Sequence, residues 1–199
     1  MEHYFISKAH KESDYFTFSD TLLGNKLTFN SVDGVFNYHG VDEGTRTLID
    51  TLVKCNIDIK GDVLDIGCGL GVIGISVARY YTNINLTMCD VNSTVVELAT
   101  KNAELNSVKS NIVVSNTYDN INDKFDFVLT NPPIKAGKKV LFDIVLGAYD
   151  KLREGGKIIL VIRKNLGMQS LKNNMVATYG NCEILNRNKG YYILCSTKK

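Results

Sequence analysis

From Asp62 onward the chain alternates short, almost wholly apolar runs with longer amphipathic segments, and few architectures accommodate that rhythm. DVLDIG (62–67), INLTMCDV (84–91), NIVVSN (111–116), FDFVLTN (125–131) and KIILVIR (157–163) read as strands. GVIGISVARYY (71–81), STVVELATKNAELN (93–106) and a segment at about 138–153, closed by EGG, space their apolar residues as helices do. Ser93 or Asn92 supplies the N-cap of the second helix. Strands with no polar face need cover on both sides, and helices lying between them in sequence provide it. The expected class is therefore α/β, with a doubly wound, mostly parallel sheet.

The two ends of the chain depart from this pattern. CEILNRNKGYYILCSTK carries β-rich runs on either side of NRNKG, so the sheet should finish in an antiparallel hairpin. Near the start, YFTFSDTLLGNKLTFNS alternates around Gly24-Asn25 as a second hairpin, and DEGTRTLIDTLVKC follows as a helix. With no linker and no repeat, one domain over residues 1–199 is expected, residues 1–40 forming a small β appendage and 41–199 the core. That length can bury a core without crosslinks.

Composition excludes several classes. No apolar run approaches the roughly 20 residues of a membrane span, and the N-terminus lacks the long apolar centre of a signal peptide, so a cytoplasmic protein is expected. Cys55, Cys68, Cys89, Cys182 and Cys195 show neither CxxC nor His-rich spacing, which fits reduced, buried thiols and predicts no metal. Charge is uneven: residues 1–133 hold 10 Lys/Arg against 17 Asp/Glu, and residues 134–199 hold 13 against 4. The basic last third is either a footprint for a polyanion or a solvated lysine-rich surface.

Two motifs carry chemistry. In VLDIGCGLGVIGI, Asp65, Gly67, Cys68, Gly69 and Gly71 lie at the end of the first strand of the alternating series, where close glycines permit a tight turn and let a ligand approach the backbone. Asp90 ends the next strand, 23 residues after Gly67, where a carboxylate can accept from a ribose diol; a lone strand-end Asp more often caps a helix. A dinucleotide fingerprint wants a third glycine at 72, which is Val72, and Asp65 disfavours a pyrophosphate. A cationic nucleoside suits the loop better. The second motif, Asn131-Pro132-Pro133, closes the fourth strand of the series and uses both prolines of the chain. Proline restricts the residue before it to extended conformations, which directs the Asn131 amide and the Pro132 carbonyl outward as two acceptors. They could hold the N–H groups of an exocyclic amine and aim its lone pair at an electrophilic carbon; the bland alternative is a turn that ends a strand.

The pattern D-x-G-x-G-x-G with Asp90 beyond it resembles the class I S-adenosylmethionine-dependent methyltransferases over about residues 40–165. NPP resembles the N-P-P-aromatic motif of amino-methyltransferases, except that Ile134 replaces the aromatic. HYF at the start, GVFNYHGVDEGTRTLI (34–49), NPPIKAGK (131–138) and KGYYIL (189–194) together resemble the single-domain members of the RsmC-like 16S ribosomal RNA guanine-N2 methyltransferases.

That resemblance implies a Rossmann-like seven-stranded sheet, S-adenosylmethionine as cofactor, and ribosomal RNA or the small ribosomal subunit as partner of a monomer. It implies that Asp65, Gly67, Cys68, Gly69 and Gly71 line the methionine part, that Asp90 holds the ribose, and that Val91, Asn92 and Asn116 flank the adenine. Asp42, Gly44 and Thr45 would approach the cofactor from the N-terminal side, although Asp42 also suits a helix cap. Asn131, also near the cofactor, would act with Pro132 and Pro133 in catalysis, and Ile134, Lys135, Lys138 and Lys139 would meet substrate. Phe36 could cover the cofactor or belong to the core. His3, His10 and His39 receive no catalytic role. Of Tyr191 and Tyr192, one is expected in the core and the other at the surface. Methylation of another RNA base or of a protein glutamine is the alternative reading; an NAD-dependent oxidoreductase and a non-catalytic RNA-binding module fit less well.

Overall fold

A computed structural model describes residues 14–33, 35 and 40–199; Phe36, His39 and the first 13 residues, with His3 and His10, lie outside the described residues. The chain runs β1 (Tyr15–Leu22), β2 (Asn25–Val32), α1 (Glu43–Lys54), β3 (Gly61–Ile66), α2 (Val72–Tyr80), β4 (Ile84–Asp90), α3 (Ser93–Leu105) and β5 (Ser110–Val114). It continues through β6 (Phe125–Thr130), a 3-10 turn (Ile134–Ala136), α4 (Lys138–Lys151), β7 (Leu152–Arg163), α5 (Met168–Tyr179), β8 (Glu183–Asn188) and β9 (Tyr191–Thr197).

The seven-stranded sheet has the order β5-β4-β3-β6-β7-β9-β8. β3 through β7 pair in parallel, and β9 enters antiparallel between β7 and β8, so the terminal hairpin is wrapped around the sheet's last position rather than added in sequence order. Along each strand the apolar side chains alternate between two cores. Val63, Leu129, Ile159 and Val161 join the core under α1, α2 and α3. Leu64, Val128, Ile158, Leu160 and Ile162 join the one under α4 and α5.

Three local expectations change. The N-terminal hairpin turns at Leu23-Gly24, one residue earlier than the sequence suggests, with both residues at positive φ and Leu22 paired with Asn25. EGG does not close the helix before it. α4 ends at Lys151, and Gly155 and Gly156 lie inside β7, where a Cβ on Gly156 would come within 2.9–3.2 Å of three backbone oxygens. α5 has no counterpart in the sequence reading; its buried face is only Met168, Leu171, Met175 and Tyr179, and no side chain caps its start.

The N-terminal hairpin is more than an appendage, because Leu22, Leu27 and Phe29 are buried within the first core. α3 holds its edge with two asparagines one helical turn apart. Asn106 accepts from Thr28 N (3.0 Å) and donates to Thr28 O (2.7 Å). Asn102 accepts from Asn30 N (2.7 Å) and donates to Asn30 O (3.1 Å) and to Leu70 O (3.0 Å). The two amides thus act as a surrogate strand, satisfying the backbone of β2 at alternate residues.

Candidate active site

The parallel strands deliver their carboxyl ends to one edge of the sheet, where open α/β folds bind ligands. β3 ends in the glycine loop, with Gly67, Gly69 and Gly71 at φ of 68°, 55° and 83°. Their empty Cβ positions differ. At Gly69 a Cβ would meet nothing within 4 Å, so the backbone there borders open space, whereas at Gly71 it would press on Ile75 (3.0 Å) and Met88 (3.4 Å). Gly71 is therefore a packing position as well as a turn. A Cβ on Gly67 would lie 3.8 Å from Pro133 Cδ, which sets the glycine loop against the NPP turn. The two strand ends are also tied by Thr130 Oγ1, which donates to Ile66 O at 2.7 Å.

Two carboxylates underlie the loop. Asp65 is fully buried; its Oδ2 accepts from Gly74 N (2.8 Å), and its Oδ1 has no partner. Burial, with a smaller contribution from the Asp90 charge, raises its pKa to about 7. Asp90 accepts from Gly69 N through Oδ2 (3.1 Å) and from Asn92 N through Oδ1 (3.0 Å). Burial raises its pKa, and the backbone donors partly offset this. Each oxygen keeps a lone pair for a further donor. Cys68 is buried, and desolvation first, with the nearby carboxylates, holds its thiol well above the usual range, so it is no nucleophile.

Val91 is exposed beside Asp90, while Asn92 spends its side chain capping α3 by accepting from Thr94 N at 3.0 Å. Asn116 is exposed beyond β5, next to Ser115, whose N–H donates to Asp90 O (2.9 Å), and it donates to Asp119 (3.2 Å).

Asn131 is half-buried and its amide is held from a distance of 89 residues in sequence. Its Nδ2 donates to Thr45 Oγ1 (3.0 Å) and to both oxygens of Asp42 (3.3 and 3.4 Å). Asp42 Oδ1 also caps α1 by accepting from Gly44 N (2.9 Å) and Thr45 N (3.1 Å). Among the described residues nothing donates to Asn131 Oδ1 or to Pro132 O, whereas Pro133 O accepts from Ala136 N (2.9 Å) in the 3-10 turn. Gly44 packs beneath Tyr191, 2.9 Å from where its Cβ would be. Ile134 is half-buried and packs on the second core. Lys138 and Lys139 are exposed in the first turn of α4, and Lys139 pairs with Asp143 at 2.7 Å.

The sequence reading missed a second group of cations on the same edge. Arg163 and Lys164, at the end of β7, and Lys189, in the β8–β9 turn, are exposed; Arg163 lies 4.6 Å from the Tyr191 ring and donates to its hydroxyl, and Lys189 pairs with Glu43 at 3.0 Å. Tyr191 and Tyr192 are both half-buried on opposite cores, with Arg187 over Tyr192, so neither is purely core or surface. Among the described residues no cluster of His, Cys, Asp and Glu could hold a metal ion, and no helix is long and apolar enough to cross a membrane.

Comparison with known proteins gives this edge a family. The methyltransferase small domain profile matches residues 26–195. The chain is 36% identical over 200 residues to the uncharacterized protein YbxB of Bacillus subtilis, covering 99% of this chain and 98% of that one. It is 35% identical over 139 residues to Ribosomal RNA small subunit methyltransferase C of Escherichia coli, covering 68% of this chain but only 40% of that protein. Among solved structures, the T. Thermophilus 16S rRNA N2 G1207 methyltransferase (RsmC), in complex with AdoMet and guanosine, superposes with a TM-score of 0.84 at 25% identity, covering 93% of this chain and 51% of that one. The sheet order, the terminal hairpin and the profile agree: the chain belongs to the methyltransferase small domain family.

Proposed function

We propose that this protein is an S-adenosylmethionine-dependent N-methyltransferase acting on the exocyclic 2-amino group of a guanine in 16S ribosomal RNA. The observation that carries the reading is the pair of acceptors, Asn131 Oδ1 and Pro132 O, which receive no donor among the described residues and stand against a glycine loop whose Gly69 faces open space. The cofactor is S-adenosylmethionine, as in the RsmC complex. The residues fit such a ligand, because buried Asp65 has an orphaned oxygen and no cation beside it among the described residues, and a cationic ligand at the loop supplies a compensating charge. Bound there, S-adenosylmethionine supplies an electrophilic methyl group on a cationic sulfur.

The chain's own residues do the rest. Asp90, pre-oriented by two backbone donors, accepts from the ribose hydroxyls. Asn131 Oδ1 and Pro132 O accept the two N–H groups of the target amine. An amine conjugated to a base has a delocalised lone pair and is a weak nucleophile. Two fixed acceptors favour its pyramidal form and stabilise the positive charge that develops on nitrogen. No general base is needed, since a protonated aryl amine is acidic and loses its proton to water.

Lys138 and Lys139 contact RNA phosphates in this reading; the side chain of Lys135, expected beside them, lies outside the described residues. Cations in the first turn of a helix oppose its dipole by about 0.3–1 kcal/mol each, a cost that a bound phosphate removes. The Arg163, Lys164 and Lys189 group supplies further phosphate contacts along the same edge. The test is transfer of a tritiated methyl group to RNA from cells lacking the protein, followed by nucleoside analysis. N2-methylguanosine is the expected product; another methylated base, methylglutamine in protein, or no transfer overturns the assignment.

A further inference from the structure

Asp42 does more than a helix cap requires. Capping α1 uses only Oδ1, and Ser, Thr or Asn fills that role as well as Asp. The second oxygen takes no part in the cap; it faces Asn131 Nδ2 at 3.4 Å, as Oδ1 does at 3.3 Å, so both oxygens of the carboxylate accept from that nitrogen. Thr45, one turn into the helix and only 6% exposed, adds its hydroxyl at 3.0 Å to the same nitrogen. A side-chain amide can turn over, exchanging its oxygen and nitrogen at almost no steric cost. A carboxylate, however, only accepts, so it fixes which end of the amide faces it. With the nitrogen held by Asp42, the oxygen is presented on the other side; turned over, the amide would set its oxygen against a carboxylate and offer the substrate a donor.

We propose that Asp42 and Thr45 are positioning residues that set the polarity of Asn131, keeping its oxygen toward the target amine. This rests on the amine-methylating reading above. It predicts that a change at Asp42 alters turnover with cofactor and RNA saturating, and leaves the cofactor affinity nearly alone. Asp42→Asn is the sharpest variant: its oxygen keeps the cap and stays near Asn131, its nitrogen replaces the second carboxylate oxygen, and Asn131 then faces one acceptor and one donor, so neither orientation is enforced. Asp42→Ser keeps the cap and removes the carboxylate, and its short hydroxyl, which both donates and accepts, does not oppose either orientation, so its effect should be smaller. Thr45→Val removes the hydroxyl at constant shape, and Thr45→Ser restores it.

The experiment measures single-turnover methyl transfer at saturating cofactor and RNA, cofactor affinity by calorimetry, and thermal melting. Asp42→Asn is expected to lose about ten-fold in rate, less than Asn131→Ala, with cofactor affinity within about three-fold of wild type. Thr45→Val should lose several-fold and Thr45→Ser should recover. The double variant Asp42→Asn/Asn131→Ala should be no slower than Asn131→Ala, since a positioning residue has nothing left to position. If Asp42→Asn unfolds, the Thr45 pair and Asp42→Ser carry the same comparison. Wild-type rates in Asp42→Asn and Thr45→Val, a loss confined to cofactor affinity, or additive losses in the double variant overturn the positioning role alone. A wild-type protein that transfers no methyl group to any amine overturns the methyltransferase reading, and this inference with it.

Discussion

Asp62 and Asp65 sit three residues apart on the same strand, β3, and meet opposite fates. At the N-terminal edge of the sheet, Asp62 accepts from Asn85 (2.9 Å) and pairs with Arg153 (2.7 Å), which also reaches Asp126 (3.0 Å). The Asn85 hydrogen bond and then the Arg153 guanidinium hold the Asp62 carboxyl below its usual range. At the C-terminal edge, Asp65 and Asp90 have no cation among the described residues, and burial raises both. One edge is completed by the chain's own charges. The other keeps two desolvated carboxylates without a cation among the described residues, which suits the cationic ligand proposed for it.

Breaking the C-terminal edge should cost most at its reacting point. Asn131→Ala is expected to lower the single-turnover rate by about 10²–10³, or about 2.7–4 kcal/mol in the barrier, while cofactor affinity measured by calorimetry changes by a few-fold at most. Near wild-type turnover would leave the NPP segment as a turn. Next comes Asp90→Ala, which removes charged hydrogen bonds of about 1.5–3 kcal/mol and should weaken S-adenosylmethionine roughly ten-fold or more without unfolding the chain. Unchanged affinity would take Asp90 out of the cofactor site.

A subtler effect concerns pH. The folded pKa of Asp65, about 7, lies above the ordinary carboxyl value of 3.8, so the folded state holds a proton there that the unfolded state has lost. The contribution of Asp65 to stability is full below about pH 4, declines as pH rises through 7, and is flat above. Asp65→Asn should therefore gain stability relative to wild type between pH 5 and 7.5 in urea titrations of ligand-free protein, and saturating cofactor should narrow that gap. A pH-independent gap would deny Asp65 its unpaired character. The smallest effect belongs to the opposite edge. Arg153→Ala breaks exposed pairs of about 0.2–1 kcal/mol, so the melting temperature should drop by a few degrees at most and methyl transfer should be unchanged.

How much of this was legible in the sequence depended on distance along the chain. The placement of the glycine loop beside Asp90 was visible because both lie at strand ends one βαβ unit apart, and the parallel strands because apolar residues occupy both faces. The pairing of Asp42 with Asn131 was not visible: it joins a helix start to a strand end 89 residues later, and both residues have ordinary local readings as a cap and a turn. α5 escaped notice because its four buried apolar residues, among asparagines and glutamine, make a thin stripe, and Gly167 at its start looks like a loop residue. EGG misled because glycine signals both helix ends and strand positions crowded by backbone, and only the neighbouring oxygens of Arg153, Phe125 and Asp126 distinguish the two.

The asparagine latch of α3 bears on how the molecule keeps to itself. An open β edge is a template on which another chain can add a strand, and natural proteins blunt such edges with charge, proline or cover. The outer edge of β2 has its donors and acceptors at Thr28 and Asn30 occupied by side chains, so it offers an incoming strand nothing to pair with there. Loss of Asn102 and Asn106 would leave the hairpin folded on its buried Leu22, Leu27 and Phe29 while uncovering four backbone groups in strand spacing. Losing Asn102 also strips the buried Leu70 carbonyl of its donor, so the same two side chains that hold α3 to the hairpin stand between its edge and a second copy of the chain.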